Sequence, residues 1–464
     1  MEDIISWSAV ETAEKIRERA VSCTEVVTAH LDHVEIANPH LNAIVEVHAE
    51  EALAQAAEQD KNWQAEGLPP LYGVPVTTKI NIDQTGSCTS NGLPALNEIP
   101  ATADSPLVTN LKQDGAIIIG RTSTPEFSIR WFTSNPIYGV TNNPWHPDIT
   151  PGGSSGGAAA AVAMGMGCIA HGNDLGGSLR YPAYCCGVAT IRPSIGRVAA
   201  GNPSAGVGAE RPPITQTMSV QGPIARTVAD VRLGLNSMAR RSAYDPLWTN
   251  ATSGRGKQAP WKIGWFVDAF GDGVETEVDH ATRKAVNALE AAGHKLVEMP
   301  APNAVEAVNV WGNLLFAETS LLGEAAMREM GSPEVVRVFE GYRSCFEALD
   351  LKGFLENMQA RNRLQRIWNE MFEDIDVFLL PVSGQKPFLN DLDFKQPERI
   401  PEMVKAQRFL YLVNLLGLPS ASVPVGIYEG MPVGVQLIGA MHDDAVCLAV
   451  AEELEQDIDF PGLL

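Results

Sequence analysis

A serine set three residues ahead of a glutamate, with apolar residues at helical spacing behind it, occurs twice near the start of the chain: Ser8 with Glu11, and Ser22 with Glu25. In such a pair each side chain satisfies the other residue's backbone N–H, so two N-terminal helices are predicted, ending near Asn38-Pro39. Their leucine and valine spacing suits packing or contact with a second copy, which leaves a homodimer open. Helix-period and continuous apolar segments then alternate: a helix over 52–65, a strand over 73–82, a helix over 105–113 and a strand over 116–119. That order predicts an α/β fold, with a twisted mixed sheet layered between helices. Residues 242–260, containing Asn250-Ala-Thr-Ser-Gly-Arg-Gly256, read as an exposed loop before the second half begins at Trp261-Lys-Ile-Gly-Trp265. From about 305 to 406 helical spacing dominates, with Trp311, Phe316, Phe339, Tyr342, Phe346 and Phe354. Apolar residues so spaced usually pack inward, so most of this stripe is expected in the core and the rest around a pocket.

Composition narrows the class. The chain has 464 residues, 45% hydrophobic and 19% charged, enough for a large core. A net charge of −22 repels phosphate backbones, so no nucleic-acid partner is expected. The opening Met1-Glu-Asp-Ile-Ile-Ser-Trp has neither the basic residues nor the apolar core of a secretion signal, and glycine, serine and proline break the uncharged stretches. Neither export nor a membrane span is expected. Seven cysteines without paired spacing suit a reduced cytosol, hence a cytoplasmic protein. The nine histidines include no H-E-x-x-H and no His-Cys cluster, so no metal is expected. Gly165-Met-Gly-Cys-Ile-Ala170 fits a dinucleotide fingerprint but follows a helix instead of opening one, and no cofactor is expected.

The chemistry concentrates in two serine-glycine segments and one lysine. Asp174-Leu-Gly-Gly-Ser-Leu-Arg180 offers the successive amides of Leu175, Gly176, Gly177 and Ser178, and its glycines adopt left-handed or bridging conformations at little cost. Such a turn can cradle a negative oxygen, although an isolated Asp-x-Gly-Gly-Ser is more often a plain turn. Pro151-Gly-Gly-Ser-Ser-Gly-Gly157 precedes the small-residue helix 158–163, whose first turn presents free N–H groups and a positive dipole end. Lys79 ends the apolar run Gly73-Val-Pro-Val-Thr-Thr-Lys79. A lysine acts as a base only when neutral, against an ordinary pKa of about 10.4. Lowering that value by about 2 to 3 disfavours the ammonium by roughly 3 to 4 kcal/mol, within reach of burial, and the flanking Val74, Val76 and Ile80 are apolar enough to provide it.

These segments resemble the amidase signature family. Further matches run in the same order: Arg121-Thr-Ser-Thr-Pro-Glu-Phe127, Asn143-Pro-Trp145, Tyr181-Pro-Ala183, Gly222-Pro-Ile-Ala-Arg-Thr227, Asp376-Val-Phe-Leu-Leu-Pro381, Gly417-Leu-Pro419 and Met431-Pro-Val-Gly-Val-Gln-Leu-Ile-Gly439. The likeness covers nearly the whole chain. It implies one amidase domain over 1–464, with a helical region at 1–65, the signature core at 66–230 and a variable helical region at 300–410 that caps the substrate pocket. It also implies a Ser-cisSer-Lys triad: Ser178 as nucleophile, Ser154 as the serine after a cis peptide that relays the proton, and Lys79 as base. Ser155, Asp174 and Arg180 would brace the loops.

The expected reaction is hydrolysis of a small-molecule amide to a carboxylic acid and ammonia or an amine through a Ser178 acyl-enzyme. The alternative is the amidase (glutaminase) subunit of a glutamine-dependent tRNA amidotransferase. Trp131, Phe132, Tyr138 and Trp311 are expected to contact an aryl or medium apolar acyl group. Three positions depart from the family pattern: Ile80 where aspartate is common, Asn173 where serine or threonine is usual, and Thr190 where glycine is usual. Ile80 favours a neutral amine, whereas Asn173 leaves the bracing open. His171 reads as a packed strand-end histidine, with a pocket role as the alternative. Gly152-Gly-Ser-Ser-Gly156 also fits the nucleophile elbow, but a proline-broken loop stands where that motif needs a strand.

Overall fold

The computed structural model describes residues 2–64, 66–204, 210–252 and 256–463. The chain builds one α/β unit around an eleven-stranded sheet. Its strands begin with β1 (Ile44–Val47), β2 (Pro75–Lys79) and β3 (Ile117–Thr122). The hairpin β4 (Ser134–Asn135) and β5 (Gly139–Val140) stands apart. The sheet continues with β6 (Ile169–Asp174), β7 (Ala189–Arg192), β8 (Val220–Ala225), β9 (Lys262–Trp265) and β10 (Lys295–Glu298). It ends with β11 (Val377–Pro381), β12 (Ser420–Tyr428) and β13 (Met431–Gly439). The spatial order is β1-β3-β2-β6-β8-β7-β12-β13-β11-β9-β10.

The sheet is mixed, as expected. β2 runs parallel to β3 and β6, and β9 runs parallel to β10 and β11. Between these groups the pairings from β6 through β8, β7, β12 and β13 to β11 are antiparallel. Strands covered on both faces read as unbroken apolar runs, and Val377-Phe-Leu-Leu-Pro381 is buried at every residue. The Gly156–Ala163 helix is also wholly buried, which its glycine and alanine composition permits.

Element limits moved for local reasons. Ser22 and Glu25 form the complete capping box of the Cys23–Leu41 helix, and Ser8 caps Ala9–Arg17. The longer helix passes through Pro39 and closes where Asn42, in the left-handed region, donates its N–H to Asn38 O. The expected 73–82 strand is only Pro75–Lys79, because Ile82 N–H turns back onto Lys79 O. That turn leaves Lys79 at the carboxyl end of β2. β3 runs on past 119, since Gly120, Arg121 and Thr122 pair with β1 and β2. The 52–65 helix spans Ala49–Lys61, and Ala65 lies outside the described residues. The described part of 242–260 carries neither helix nor strand, while Ser253, Gly254 and Arg255 lie outside the description. Among the described residues, no helix is long and apolar enough to cross a membrane.

The capping box offers a test of this local reading. Ser22→Ala removes the acceptor of Glu25 N–H and the hydroxyl that donates to Glu25 Oε2, so it lowers stability by about 1 kcal/mol. The measurement is a urea melt in which the midpoint falls and the slope stays constant.

Candidate active site

Lys79 is fully buried where β2 ends. Its Nζ lies 2.7 Å from Ser154 Oγ, 3.1 Å from Ser155 Oγ and 2.8 Å from Asn173 Oδ1. All three partners are neutral. Burial drives the amine well below the ordinary lysine pKa, and the Asp174 charge opposes this only in part. A neutral amine has two N–H donors and one lone pair. Asn173 Oδ1 and Ser155 Oγ can take the donors, which leaves the lone pair facing the Ser154 hydroxyl. Asn173, the departure whose bracing role was open, thus supplies an acceptor without adding charge. Ile80 is fully buried and adds none either.

The Ser154 loop is held from both sides. The Gly153–Ser154 peptide is cis. A Cβ at Gly153 would stand 2.4 Å from Arg130 O and 2.5 Å from Phe132 N, so a glycine is required for the loop to lie against that segment. Thr124 Oγ1 donates to Ser154 O at 2.9 Å, and Cys186 Sγ–H donates to Pro151 O at 3.4 Å. Burial pushes the Cys186 thiol far up, so it serves as packing and not as a nucleophile.

The turn after β6 carries Ser178, which is half-buried. At its root Asp174 and Arg180 form a buried ion pair at 3.0 Å. Burial raises the Asp174 pKa, but Arg180's charge and hydrogen bonds, Arg192's charge and the Asn414 carboxamide outweigh it and hold the carboxyl far below the usual range. Arg180 also donates to Gln436, Asn414 and Leu410 O, which ties the turn to β13 and the Arg408–Leu416 helix. Gly177 has φ +101, and a Cβ there would fall 2.3 Å from Leu410 Cδ1. Of the four amides expected to face an oxyanion, that of Gly177 is corrected: it donates to Asp174 Oδ1 at 2.8 Å. Among the described residues, the amides of Leu175, Gly176 and Ser178 keep no such partner.

Two tryptophans orient this turn from the other side. Trp311 Nε1 donates to Leu175 O and Trp131 Nε1 to Gly176 O, each at 3.1 Å. In a trans peptide the C=O and the following N–H point in opposite directions, so these bonds turn the Gly176 amide away from Trp311.

Ser154, Asn173, Leu175, Gly176 and Ser178 line a cavity of about 490 Å³. Trp131 and Trp311 form part of its wall. Phe132 and Tyr138 are corrected. Phe132 is fully buried against Phe388 and does not line the cavity, and Tyr138 reaches its hydroxyl toward Asn97 and Glu46. The stripe fills both expected roles: Trp311, Phe339 and Tyr342 are buried in the core and Phe316, Phe346 and Phe354 pack against it, while all but Phe354 also line the cavity. Tyr411 also lines the cavity; it sits in the apolar run Arg408-Phe-Leu-Tyr-Leu-Val-Asn-Leu-Leu416, which carries no sequence sign of a site. The charged residues of the lining, Arg130 and Glu318, are both occupied. Arg130 pairs with Asp391 and Asp393, while Glu318 accepts the amides of Ile214 and Thr215. His171 lies beside the site as packing. Its Nδ1 accepts Lys79 N–H, its Nε2 meets Gln221 Oε1, and burial lowers its pKa to about 3.

Comparison with known proteins places this architecture. The family model described as Amidase matches residues 25–448. An indoleacetamide hydrolase of Bradyrhizobium diazoefficiens is 45% identical over 97% of this chain and 86% of that protein. A glutamyl-tRNA(Gln) amidotransferase subunit of Heliobacterium modesticaldum is 30% identical over 97% of this chain and 96% of its own length. The crystal structure of a bacterial aryl acylamidase superposes with a TM-score of 0.84 at 26% identity, covering 97% and 96% of the two chains.

The buried amine has a thermodynamic signature. Between its depressed native pKa and about 10.4, the unfolded chain binds a proton at residue 79 that the native chain does not, so stability rises with pH across that window. Lys79→Met removes this contribution. Denaturant melts at pH 7 and pH 9 are expected to show a variant at least as stable as the parent at pH 7, with a weaker gain toward pH 9.

Proposed function

Because the chain belongs to the amidase family and hydrolyses small-molecule amides, we propose that Ser178 is its nucleophile, Ser154 its proton relay and Lys79 its base. One observation carries this reading: a fully buried lysine amine, held by neutral groups alone, 2.7 Å from a serine hydroxyl that shares a cavity with Ser178. Lys79 draws the Ser154 proton as Ser154 takes that of Ser178. Ser178 Oγ then attacks the amide carbonyl, and the amides of Leu175, Gly176 and Ser178 receive the developing oxyanion. The proton returns through Ser154 to the departing nitrogen, which leaves as ammonia or an amine. Water, deprotonated along the same relay, cleaves the acyl-enzyme to the carboxylic acid. Ser155, Asp174 and Arg180 hold the two loops in place. The region 300–410 caps the pocket, and the seven unpaired cysteines suit a reducing cytosol.

The substrate we infer is an aryl acetamide of the indoleacetamide kind. Relatives that are indoleacetamide hydrolases support this, as does a pocket walled by Trp131, Trp311, Phe316, Phe339, Tyr342 and Phe346. Glutamine fits less well. Its carboxylate needs a free cation, and the Arg130 guanidinium of the lining is already paired with Asp391 and Asp393.

Ser178→Ala and Lys79→Ala are each expected to cut turnover of indole acetamide by roughly a thousandfold or more. A fluorophosphonate should add its mass to the parent at Ser178 and leave Ser178→Ala unlabelled. Near-normal turnover by Lys79→Ala would refute the scheme. As an ammonium cannot accept the proton, kcat/KM should fall as pH drops through the depressed lysine pKa.

A further inference from the structure

Asn173 stands near the end of β6, beside the end of β2 that carries Lys79, because the two strands run parallel with Val76 opposite Ile169 and Thr77 opposite Ala170. Its carboxamide is used on one side only. Oδ1 takes a hydrogen bond from Lys79 Nζ at 2.8 Å. Nδ2 has no partner among the described residues, yet it is not one of the unpaired polar atoms sealed in the interior. Asn173 is half-buried and lines the cavity together with Ser154 and Ser178, so its two Nδ2 hydrogens open onto that cavity. The lysine bond holds the planar carboxamide and thereby aims these hydrogens.

The other polar groups at this end of the cavity have their tasks. Ser154 Oγ meets Lys79, and Ser128 Oγ donates to Asn91 Oδ1 at 2.6 Å while it accepts Asn81 Nδ2 at 3.0 Å. The amides of Leu175, Gly176 and Ser178 serve the oxyanion in the mechanism above. Asn173 Nδ2, joined to Ser154 through Lys79, is the donor left over, and the two half-reactions differ in what they could offer it. The departing nitrogen has one lone pair, which the proton returning through Ser154 occupies. Water has two. One can attack the acyl carbon while the other accepts an N–H, and a water hydrogen goes to Ser154 Oγ.

We propose that Asn173 is a further catalytic residue, whose Nδ2 donates a hydrogen bond to the water that hydrolyses the acyl-enzyme. The water oxygen bonds to the acyl carbon as its proton passes to Ser154 and that of Ser154 to Lys79. The bond from the acyl carbon to Ser178 Oγ then breaks, and Oγ recovers a proton from Lys79 through Ser154. A water held by Asn173 and Ser154 together meets the acyl carbon in one orientation instead of many. The inference rests on the Ser178 acyl-enzyme reading above and assigns a residue to its second step.

The test separates the two steps with p-nitrophenyl acetate, whose burst of p-nitrophenol reads acylation and whose steady rate afterwards reads deacylation. Asn173→Ser and Asn173→Thr each keep a hydroxyl oxygen for Lys79 and remove the Nδ2 donor. In both, deacylation is expected to fall about tenfold further than acylation, the size of one hydrogen bond, and an acetyl adduct should accumulate on the Ser178 peptide. If Asn173 only braced Lys79, both steps would slow alike, since one lysine serves both, and an unchanged ratio of the two rates overturns the proposal. A second measurement needs no substitution. A crystal structure of the parent acetyl-enzyme, quenched to a pH at which Lys79 is protonated, should hold a water within about 3.2 Å of both Asn173 Nδ2 and Ser154 Oγ, and a water bound elsewhere, or none, overturns the proposal too. Absence of turnover and of an acetyl adduct at Ser178 in parent and variants alike overturns the acyl-enzyme reading itself, and this inference with it.

Discussion

A lysine amine kept out of water without a counter-charge is the constraint around which this molecule is arranged. Such a group is tolerated only if it sheds its proton or finds hydrogen bonds, and Lys79 has neutral oxygens on three sides. Each oxygen comes from a different structural obligation. Ser154 depends on a loop that only a glycine lets approach the 130–132 segment, Ser155 on the head of an all-buried helix, and Asn173 on the last residues of β6. The neighbouring carboxylate of Asp174 is drawn instead to Arg180 and Arg192, which keeps it from stabilising a Lys79 ammonium by direct pairing.

The same economy joins catalysis to recognition. Arg180 braces the nucleophile turn and reaches the helix that carries Tyr411. Arg130 acts in parallel: its backbone oxygen faces Gly153, while its guanidinium holds Asp391 and Asp393, and Asp393 receives the Tyr342 hydroxyl. Neither arginine is free to meet a ligand. Both transmit the placement of the serine loops into the walls of the cavity.

How much of this can be read from residues alone follows the range of the interactions involved. The mixed sheet, the capping boxes and the two serine-glycine segments rest on patterns within a few positions of each other, and the structure bears out the fold. Lys79 stands out because its flanks announce burial. The pocket does not stand out, because its walls depend on long-range packing. Trp131 and Phe132 are neighbours in the chain yet of the two only Trp131 lines the cavity, and Tyr138, close in sequence to the core loops, turns its hydroxyl to Asn97 instead. The helical stripe from Trp311 to Phe346 looks identical whether it packs on protein or on a substrate. Tyr411 hides in an apolar helix, and its unpaired hydroxyl is visible only once its neighbours are placed. Gly177 misleads for the opposite reason: a run of free amides in sequence ignores the carboxylate that folds back onto one of them.

The two indole N–H groups that grip the turn beneath Ser178 divide the lining into positions of unequal evolutionary freedom. Trp131 and Trp311 cannot drift to suit a new acyl group without loosening the peptide planes at the reaction centre. The phenyl rings of Phe316, Phe339 and Phe346 hold no such bond. Divergence of substrate range within this lineage should therefore gather at those three rings, leaving the tryptophan pair as a fixed frame.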